Sequence, residues 1–479
     1  MAIPFYPDFF NDVFGPIMQP GSSGGFAGPS RIGYIARHTI KSEPVRIKFT
    51  FAKDGMGLVG AVNFWSDYAY LGGTLGFLPD DKRLFESHEI ARAQGIAYAF
   101  VEERLDYPYE SYIRIDIEGA EGEKGSLVAA SVGGGMIHVY EANGQKLGLW
   151  QADYDLTLED GTVLPAVLPV ITREGRKPQL FTTVEEWRRV AQKEGISFAE
   201  AAIRYEENFS LWSRDEIWAF FEKIADVLDK QIHSLELVGY DKAEDRPNLP
   251  IYGRQWNAYI ESGKGISDDL TSHIIRHALS TNAKIPGWKI VPGPMGTGGG
   301  YLFSAVSAVA DKINAPHEKV IESLIVAAAL GAIAFTHTHT SGRVGCVGES
   351  GVCCAMASGA VAHLIGGDSY AVENAASMAL QANIGIPCDP IPGGKEFPCI
   401  TRTVRAAVTA PLYAELAASG IDPLIPYHEM LLAIEHIYKT QARESLCGDT
   451  CGCCLTAAAA ECRKELENAN LGNLSYNFD

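Results

Sequence analysis

The stretch Ser111-Tyr112-Ile113-Arg114-Ile115-Asp116-Ile117 alternates apolar and polar side chains, which is the pattern of a β-strand with one buried face. Three more stretches have the composition of strands: Val45–Phe51, Ser126–Val132 and Met136–Glu141. The last two flank a run of three glycines, and Lys82–Ala97 has helical spacing. Four strands with a helix between them predict an α+β domain over residues 1–165.

Beyond this domain the pattern becomes helical. The segment Leu164–Gln179 is rich in proline and charge and predicts a linker. Ser213 is followed by Glu216, a capping-box spacing that predicts a helix start. Apolar residues at helical spacing predict these helices: Thr183–Lys193, Phe198–Glu206, Ser213–Gln231, Asp268–Thr281, Leu302–Ile313, Glu318–Phe335, Gly351–Ile365, Ser369–Ala382, Arg402–Ser419 and Tyr427–Lys439. The fold class is therefore an α+β N-terminal domain followed by a large all-α domain over residues 166–479.

Composition narrows the class of protein. The 479 residues are 47% hydrophobic and 21% charged, as in a soluble globular protein of two or three domains. The formal net charge of −19 argues against nucleic acid or an anionic membrane as the main partner. The longest near-apolar run, Leu324–Phe335, is shorter than the roughly 18 residues that a membrane span needs. The start has no basic region before an apolar one, so we expect no signal peptide and a cytoplasmic protein.

All ten cysteines lie in the C-terminal part of the chain, from Cys346 onward. A secreted disulfide scaffold would spread its cysteines along the chain, so this distribution favours a metal or redox site. Cysteine is also a favoured small core residue, and composition alone leaves both interpretations open. Cys346 follows a glycine in a turn, and Cys388 and Cys399 lie near prolines in a loop. Cys353 and Cys354 lie inside a predicted helix and are expected in the core.

Cys346, Cys388 and Cys399 have no obvious fourth partner beside them. Three such ligands fit an iron–sulfur cluster with one iron left open, and an open iron is a Lewis acid that polarises a substrate hydroxyl. Three cysteines with a histidine also make a good zinc site, and spacing alone does not choose between the two.

Two further segments carry polar groups suited to chemistry. Pro292–Gly300 is a glycine loop that runs into a helix, where backbone N–H groups can hold a carboxylate or phosphate; a flexible turn is the alternative. Thr336–Gly342 contains His337 and His339 among hydroxyl side chains. These histidines are candidates for acid–base chemistry, or polar residues that end a helix.

The cysteine motifs resemble those of a known family. Gly345-Cys346-Val347-Gly348-Glu349, Cys388-Asp389-Pro390 and Pro398-Cys399-Ile400-Thr401-Arg402 are similar to stretches of the single-chain iron–sulfur-dependent L-serine dehydratases, or L-serine ammonia-lyases. Further matches are Ser341-Gly342, Arg443-Glu444 and, in the part that resembles the family's β domain, Phe14-Gly15-Pro16, Ala36-Arg37 and Ser131-Val132-Gly133-Gly134-Gly135. The resemblance covers almost the whole chain.

The resemblance implies a cofactor and a reaction. Cys346, Cys388 and Cys399 would hold a [4Fe–4S] cluster, whose open iron would bind the hydroxyl of a small amino-acid substrate. A base would remove the Cα proton, hydroxide would leave, and the product would hydrolyse to a 2-keto acid and ammonia. The family also implies a homodimer.

The chain departs from the family where the family's β domain helps to form the site. The family's Ser-Ser-Ser-His-Thr is Ser22-Ser23-Gly24-Gly25-Phe26 here, and its His-Gly-Thr-Asp is Phe64-Trp65-Ser66-Asp67. Two histidines are therefore missing, while His337 and His339 stand where the family usually has Asn and Ser. One interpretation is a lyase whose acid–base groups have moved to the His337–Ser341 loop and whose substrate is different or larger. The alternatives are neutral drift in an enzyme for L-serine, and a cluster-bearing sensor or binding protein without turnover.

Candidate site residues follow from these interpretations. Catalytic candidates are His337, His339 and Ser341; substrate-binding candidates are Ser22, Ser23, Thr297 and Arg402; cluster ligands are Cys346, Cys388 and Cys399. A last group, Cys447, Cys451, Cys453 and Cys454, has no counterpart in the family. It is interpreted as a source of a fourth cluster ligand, a second metal site or packing.

Overall fold

The chain divides into two units. The computed structural model describes residues 7–52, 58, 62, 64–104, 107, 112–167, 178–244, 250–293, 297–340, 342–391, 396–442, 445, 451–468 and 474–478. A sheet unit comprises Met1–Pro4, Pro16–Gly175 and Glu461–Asp479, and a helical unit comprises Phe5–Gly15 and Arg176–Ala460. Phe5–Gly15, near the start of the chain, therefore belongs to the helical unit, and Glu461–Asp479, at the end of the chain, belongs to the sheet unit. The boundary after residue 165 remains a prediction.

The sheet unit is built on a seven-stranded sheet in the order β6-β5-β4-β3-β1-β2-β9. The strands are β1 Pro44–Ala52, β2 Ala97–Glu103, β3 Ile113–Gly119, β4 Lys124–Gly133, β5 Met136–Ala142, β6 Gln145–Trp150 and β9 Ser475–Tyr476, with a separate pair β7 Leu156–Thr157 and β8 Val163–Leu164. β1 is parallel to β2, and the other neighbours are antiparallel. Along β3, Ile113, Ile115 and Ile117 are buried and alternate with partly exposed polar residues, as the alternation predicts.

Within the described residues, these helices accompany the sheet: α1 Gly28–Arg37, α2 Ser66–Thr74 and α3 Ser87–Ala93. The predicted helix Lys82–Ala97 is shorter than expected. It consists of a 3₁₀ turn, Lys82–Glu86, followed by α3, and Ala97 already begins β2. Gly95, at a φ of 70°, stands between α3 and β2 in a conformation that favours glycine.

The described helices of the helical unit range from 5 to 21 residues in length. They are α4 Val184–Glu194, α5 Phe198–Ser210, α6 Arg214–Ile232, α7 Ser234–Val238, α8 Gly253–Glu261, α9 Asp269–Asn282, α10 Gly298–Ile313, α11 His317–His337, α12 Ser350–Leu364, α13 Ser369–Gln381, α14 Cys399–Ala418 and α15 Tyr427–Thr440; the last helix of the chain is α16 Ala457–Asn468. The predicted capping box between Ser213 and Glu216 starts α6. An α+β N-terminal part followed by a large helical part confirms the predicted fold class.

α11 and α12 form the centre of the helical unit. α11 is long and apolar enough to cross a membrane by length and composition, and 78% of its most apolar window is buried inside the protein. α12 packs against α11, α13 and α14. Helices that are apolar all round suit this position, because every face meets another helix. The segments that carry the candidate cysteines begin or end on α12, α13 and α14.

Candidate cluster site in the helical unit

Each candidate cysteine lies at the end of a helix or in a loop. Cys346 opens a 3₁₀ turn before α12, Cys388 lies in the loop between α13 and α14, and Cys399 is the first residue of α14. A Cβ placed on Gly345, which has a φ of 93°, would lie 2.5 Å from the carbonyl oxygen of Ile386. Only glycine allows this approach, and it brings the backbone before Cys346 against the backbone before Cys388.

Arg402 joins the three cysteine segments. It lies one turn after Cys399, and its Nη1 donates to the carbonyl oxygen of Pro387 at 2.8 Å and to Oδ1 of Asp389 at 2.6 Å. Those two acceptors flank Cys388. The guanidinium also faces Cys346 and opposes the rise in that thiol's pKa. The planar fork of arginine suits such a junction, since one side chain donates in several fixed directions.

The thiols of Cys346 and Cys399 are neutral at physiological pH unless a cation holds them. Burial raises the pKa of Cys346, and the nearby Glu349 adds to the rise, while Ser350 Oγ, 2.9 Å from the sulfur, and Arg402 oppose it. Burial raises the pKa of Cys399 to about 12, with Cys346 and Glu349 adding to it. A positively charged metal centre would displace these protons and stabilise the thiolates.

The donor set fits a cluster with separate irons. Within the described residues, no three His, Cys, Asp or Glu side chains are placed to hold one metal ion. A cluster offers a different iron to each thiolate, so its ligands do not have to converge on one point. Cys346 lies close enough to Cys399 to affect its pKa, and Arg402 bonds to the residues on both sides of Cys388, so the three segments are neighbours that could each offer a thiolate.

Cys353 and Cys354 differ from these three, as predicted. Both lie inside α12 and are buried. Their thiols donate to the carbonyl oxygens of Gly298 at 3.2 Å and Ala406 at 3.4 Å. Burial raises the pKa of both thiols. Backbone carbonyls are the partners expected of core cysteines, so these two belong to the packing of α12.

Tyr301 is a buried residue beside Cys399 that the sequence analysis missed. It lies in the first turn of α10, and burial raises the pKa of its phenol to about 12, while hydroxyl and amide groups of Thr403, Thr297 and Asn282 oppose the rise. Thr297, a predicted substrate-binding residue, is therefore buried beside this phenol. The position of Tyr301 directly after the glycine loop was the available signal.

A partly buried ion pair lies just after the C-terminal end of α9. The Lys284 ammonium contacts the Glu396 carboxylate, and Asn282 Nδ2 donates to the other oxygen of Glu396 at 2.9 Å. Lys284 is buried and is one of the charges that oppose the rise in the pKa of Cys399. Neither residue stood out in the sequence, because a lone lysine or glutamate carries no motif.

In the glycine-rich segment at the start of α10, the described glycines allow other chain segments to pack closely. A Cβ on Gly299 would lie 2.5 Å from the carbonyl oxygen of Val291, and one on Gly300 would lie 2.4 Å from Nε2 of Gln231. These two glycines are therefore required by the approach of other chain segments. Residues 294–296 of the loop lie outside the described residues, and an anion-binding role remains a prediction.

The two histidines have different surroundings. His337 is the last residue of α11, and its Nε2 lies 2.7 Å from the carbonyl oxygen of Thr182, so it is the donor nitrogen. His339 lies close enough to Arg343 and Glu435 to feel their charges. Burial lowers the pKa of both rings, which favours their neutral forms at physiological pH. Ser341, the third catalytic candidate, lies outside the described residues, as do Lys395, Arg443, Glu444 and Cys447.

In the sheet unit, the two segments that depart from the family contact each other. Ser22 Oγ accepts from the N–H of Gly25 at 3.1 Å and caps the turn Ser23–Ala27, in which Ser23 is buried. A Cβ on Gly25 would lie 2.6 Å from Cβ of Phe64. Ser66 Oγ donates to the carbonyl oxygen of Gly25. Phenylalanine at position 64 thus requires glycine at position 25.

Residues 193–453 match the family model described as "Serine dehydratase alpha chain", which is more than half of the chain. The chain belongs to this family. The match includes the three cysteines, Thr297 and both histidines, and it excludes the contact between Gly25 and Phe64. Membership confirms the predicted recognition and identifies the protein as a lyase-type enzyme. The roles of the individual site residues remain predictions.

Relatives with similar sequences are named as L-serine dehydratases. The probable L-serine dehydratase alpha chain of Bacillus subtilis (strain 168) is 26% identical over 300 residues, which cover 61% of this chain and 98% of the relative. L-serine dehydratase TdcG of Escherichia coli (strain K12) is 30% identical over 273 residues, or 55% and 58% of the two chains. L-serine dehydratase 2 of the same organism is 37% identical over 146 residues, or 29% and 31%.

Proposed function

We propose that this protein is a [4Fe–4S]-dependent lyase that removes water from a small hydroxylated amino acid and releases a 2-keto acid and ammonia. The observation that carries the proposal is the meeting of the Cys346, Cys388 and Cys399 segments at Arg402, inside the region that matches the serine dehydratase family. Cys346, Cys388 and Cys399 would hold the cluster. When bound, it would supply a Lewis acid for the substrate hydroxyl.

The residues around the cysteines would position ligands and move protons. Arg402 would keep the Cys388 loop against α14 through its bonds to Pro387 and Asp389. His339 is the first candidate for the base; His337 donates its Nε2–H to the carbonyl of Thr182, which leaves Nδ1 as the only nitrogen of that ring able to accept a proton. A base near this site would take the Cα proton as the Cβ–O bond breaks, and the resulting enamine would tautomerise and hydrolyse.

A neutral His339 has a consequence for the pH profile. Burial lowers the pKa of His339, so the free base would be present at neutral pH and lost only as the pH falls below about 6.5. In His339→Asn the acid limb of kcat should disappear together with most of the activity. His337→Asn is the matched control, and it should keep that limb. An unchanged acid limb in His339→Asn would remove His339 from the mechanism.

The contact between Gly25 and Phe64 bears on the substrate. Where the family has two histidines, this chain has an apolar contact that leaves no imidazole at either position. We therefore propose L-serine or a related, larger hydroxy amino acid as the substrate, with Ser22, Ser23, Thr297 and Arg402 as candidates for holding its charged groups.

The deciding experiment is anaerobic reconstitution with iron and sulfide, followed by assays for keto acid and ammonia on a panel of L- and D-hydroxy amino acids. Cluster absorbance with about four irons per chain and turnover of at least one panel member would support the proposal. Zinc as the bound metal, or an iron-free active enzyme, would contradict it. Pyruvate from L-serine alone would assign serine, and selective turnover of another member would assign a new substrate.

A cluster-bearing sensor or binding protein is the second candidate. The specific observation in its favour is the replacement of two family histidines by the packed pair Gly25 and Phe64. In that case the reconstituted protein would bind a panel amino acid, measured by calorimetry, and release no ammonia.

A further inference from the structure

A short turn near the end of the helical unit lies against the loop that carries Cys388. This C-terminal turn, Gly452–Leu455, is a 3₁₀ turn. The N–H of Cys453 donates to Oδ2 of Asp389 at 2.7 Å, and the thiol of Cys454 donates to the carbonyl oxygen of Pro390 at 3.0 Å. Asp389 and Pro390 directly follow Cys388, so the turn holds the loop at the two residues next to the ligand.

Asp389 is bonded on two sides. Its Oδ1 accepts from Arg402 at 2.6 Å and its Oδ2 from the N–H of Cys453, and the side chain is 2% exposed. A buried carboxylate needs such charged and amide donors, because it has lost its water. One side chain therefore connects α14, the Cys388 loop and the C-terminal turn.

Gly452 makes this contact possible. Its φ is 54°, and a Cβ there would lie 2.1 Å from Oδ2 of Asp389. Any other residue would both strain the backbone and displace the carboxylate. Cys453 bonds to Asp389 through its backbone N–H and also through its thiol.

We infer that Asp389 is a positioning residue that fastens the C-terminal turn over the Cys388 loop, and that the fastened turn limits the access of small reagents to Cys388. The part of this inference that concerns the cluster rests on the proposed function. The access itself is a property of the apoprotein. Release of the turn would remove the bonds to Asp389 and Pro390 beside Cys388 and would expose the neighbouring Cys454.

The test is the rate at which iodoacetamide alkylates each cysteine of the anaerobic apoprotein, read by mass spectrometry. In Asp389→Asn and in Gly452→Ala, Cys454 and Cys388 should react about tenfold faster than in the wild type, as loss of a charge-assisted hydrogen bond implies. Cys462, in α16, serves as the reference thiol in the same sample, and its rate should not change.

Two variants separate the inference from general destabilisation. Asp368→Asn removes a carboxylate that caps α13 in the same unit, and it should leave both alkylation rates unchanged. Cys453→Ser keeps both the backbone N–H and a side-chain donor for Asp389, and should also behave as the wild type. Equal rates in Asp389→Asn, Gly452→Ala and wild type would overturn the inference, and so would a Cys453→Ser effect as large as that of Asp389→Asn.

The holoprotein gives the second readout. After reconstitution, Asp389→Asn and Gly452→Ala should lose cluster absorbance to EDTA about tenfold faster than the wild type. If no variant and no wild-type protein binds a cluster, the proposed function fails, while the alkylation rates still decide the role of the turn. If the cluster forms and the alkylation rates are equal, the inference fails alone.

Discussion

Two regions of this chain differ in the side chains that they bring together: charged ones around Cys399 and apolar ones around Gly25. Around Cys399 in the helical unit, buried charged groups converge: Arg402 on Asp389, and Lys284 on Glu396. Around Gly25 in the sheet unit, the nearest side chain is the apolar Phe64. Buried charge is costly to keep and is retained where it does chemistry or holds a specific geometry. Under the proposed function, the helical unit would determine the reaction class, and the sheet unit would influence the substrate preference.

The largest effect should come from the cysteines themselves. Replacing Cys346, Cys388 or Cys399 by Ser should abolish both cluster absorbance and turnover, since each thiolate would hold its own iron. Cys354→Ala is the control, because that thiol lies inside α12 and bonds to the backbone of Ala406 and the hydroxyl of Thr409. Iron analysis and the ammonia assay measure both outcomes. Full activity in all three serine variants would end the cluster interpretation.

Arg402 should rank second. Arg402→Lys keeps the charge and loses the fork that reaches Pro387 and Asp389. We expect cluster retention or activity to fall by roughly 10- to 100-fold, the usual cost of losing a group that orients metal ligands. Arg405→Lys, on the same helix, is the matched control, since Arg405 contacts Asn383. Similar losses in both variants would mean that α14 merely tolerates lysine poorly.

The packed region of the sheet unit should respond through stability. Gly25→Ala places a Cβ 2.6 Å from Cβ of Phe64 and should cost about 1–3 kcal/mol in the free energy of unfolding. Gly24→Ala is its neighbour control, because the nearest atom there is at 3.5 Å. Urea unfolding monitors both variants. Phe64→Gly removes that Cβ and should restore part of the stability in Gly25→Ala; without such rescue, the two residues are not coupled.

The smallest effect is acid sensitivity of the helical unit. Burial lowers the pKa of His277 to about 3, with the nearby His233, His273 and Arg276 adding to the shift. The unfolded chain therefore binds a proton below about pH 6.5 that the folded chain refuses, so stability falls as the pH is lowered through this window. At pH 5.5 the loss should be about 1.4 kcal/mol. In His277→Phe this loss should vanish from the urea midpoints, and an unchanged pH dependence would exclude His277 as its source.

Local patterns predicted most of the elements. The capping box at Ser213, the alternation in β3 and the apolar pattern of α11 depend on neighbours within a few residues, and all three predictions agree with the structure. The cysteine motifs likewise identified the family, because their spacing is written in the chain. Strand β2 was missed, since Ala97–Glu103 directly follows α3 and has no alternation of its own.

The sequence by itself determined the fold class, the family and the three candidate ligands. Only the tertiary structure decided what lies around them: Arg402 between the cysteine segments, Tyr301 beside Cys399, and the Cys453 amide on Asp389. It also decided that β9, at the end of the chain, pairs with β2. The physical reason is that a helix or turn is stabilised by contacts within a few residues, whereas an arginine, a glycine or an amide fits many distant partners. Its actual partner is selected only when the whole chain has packed.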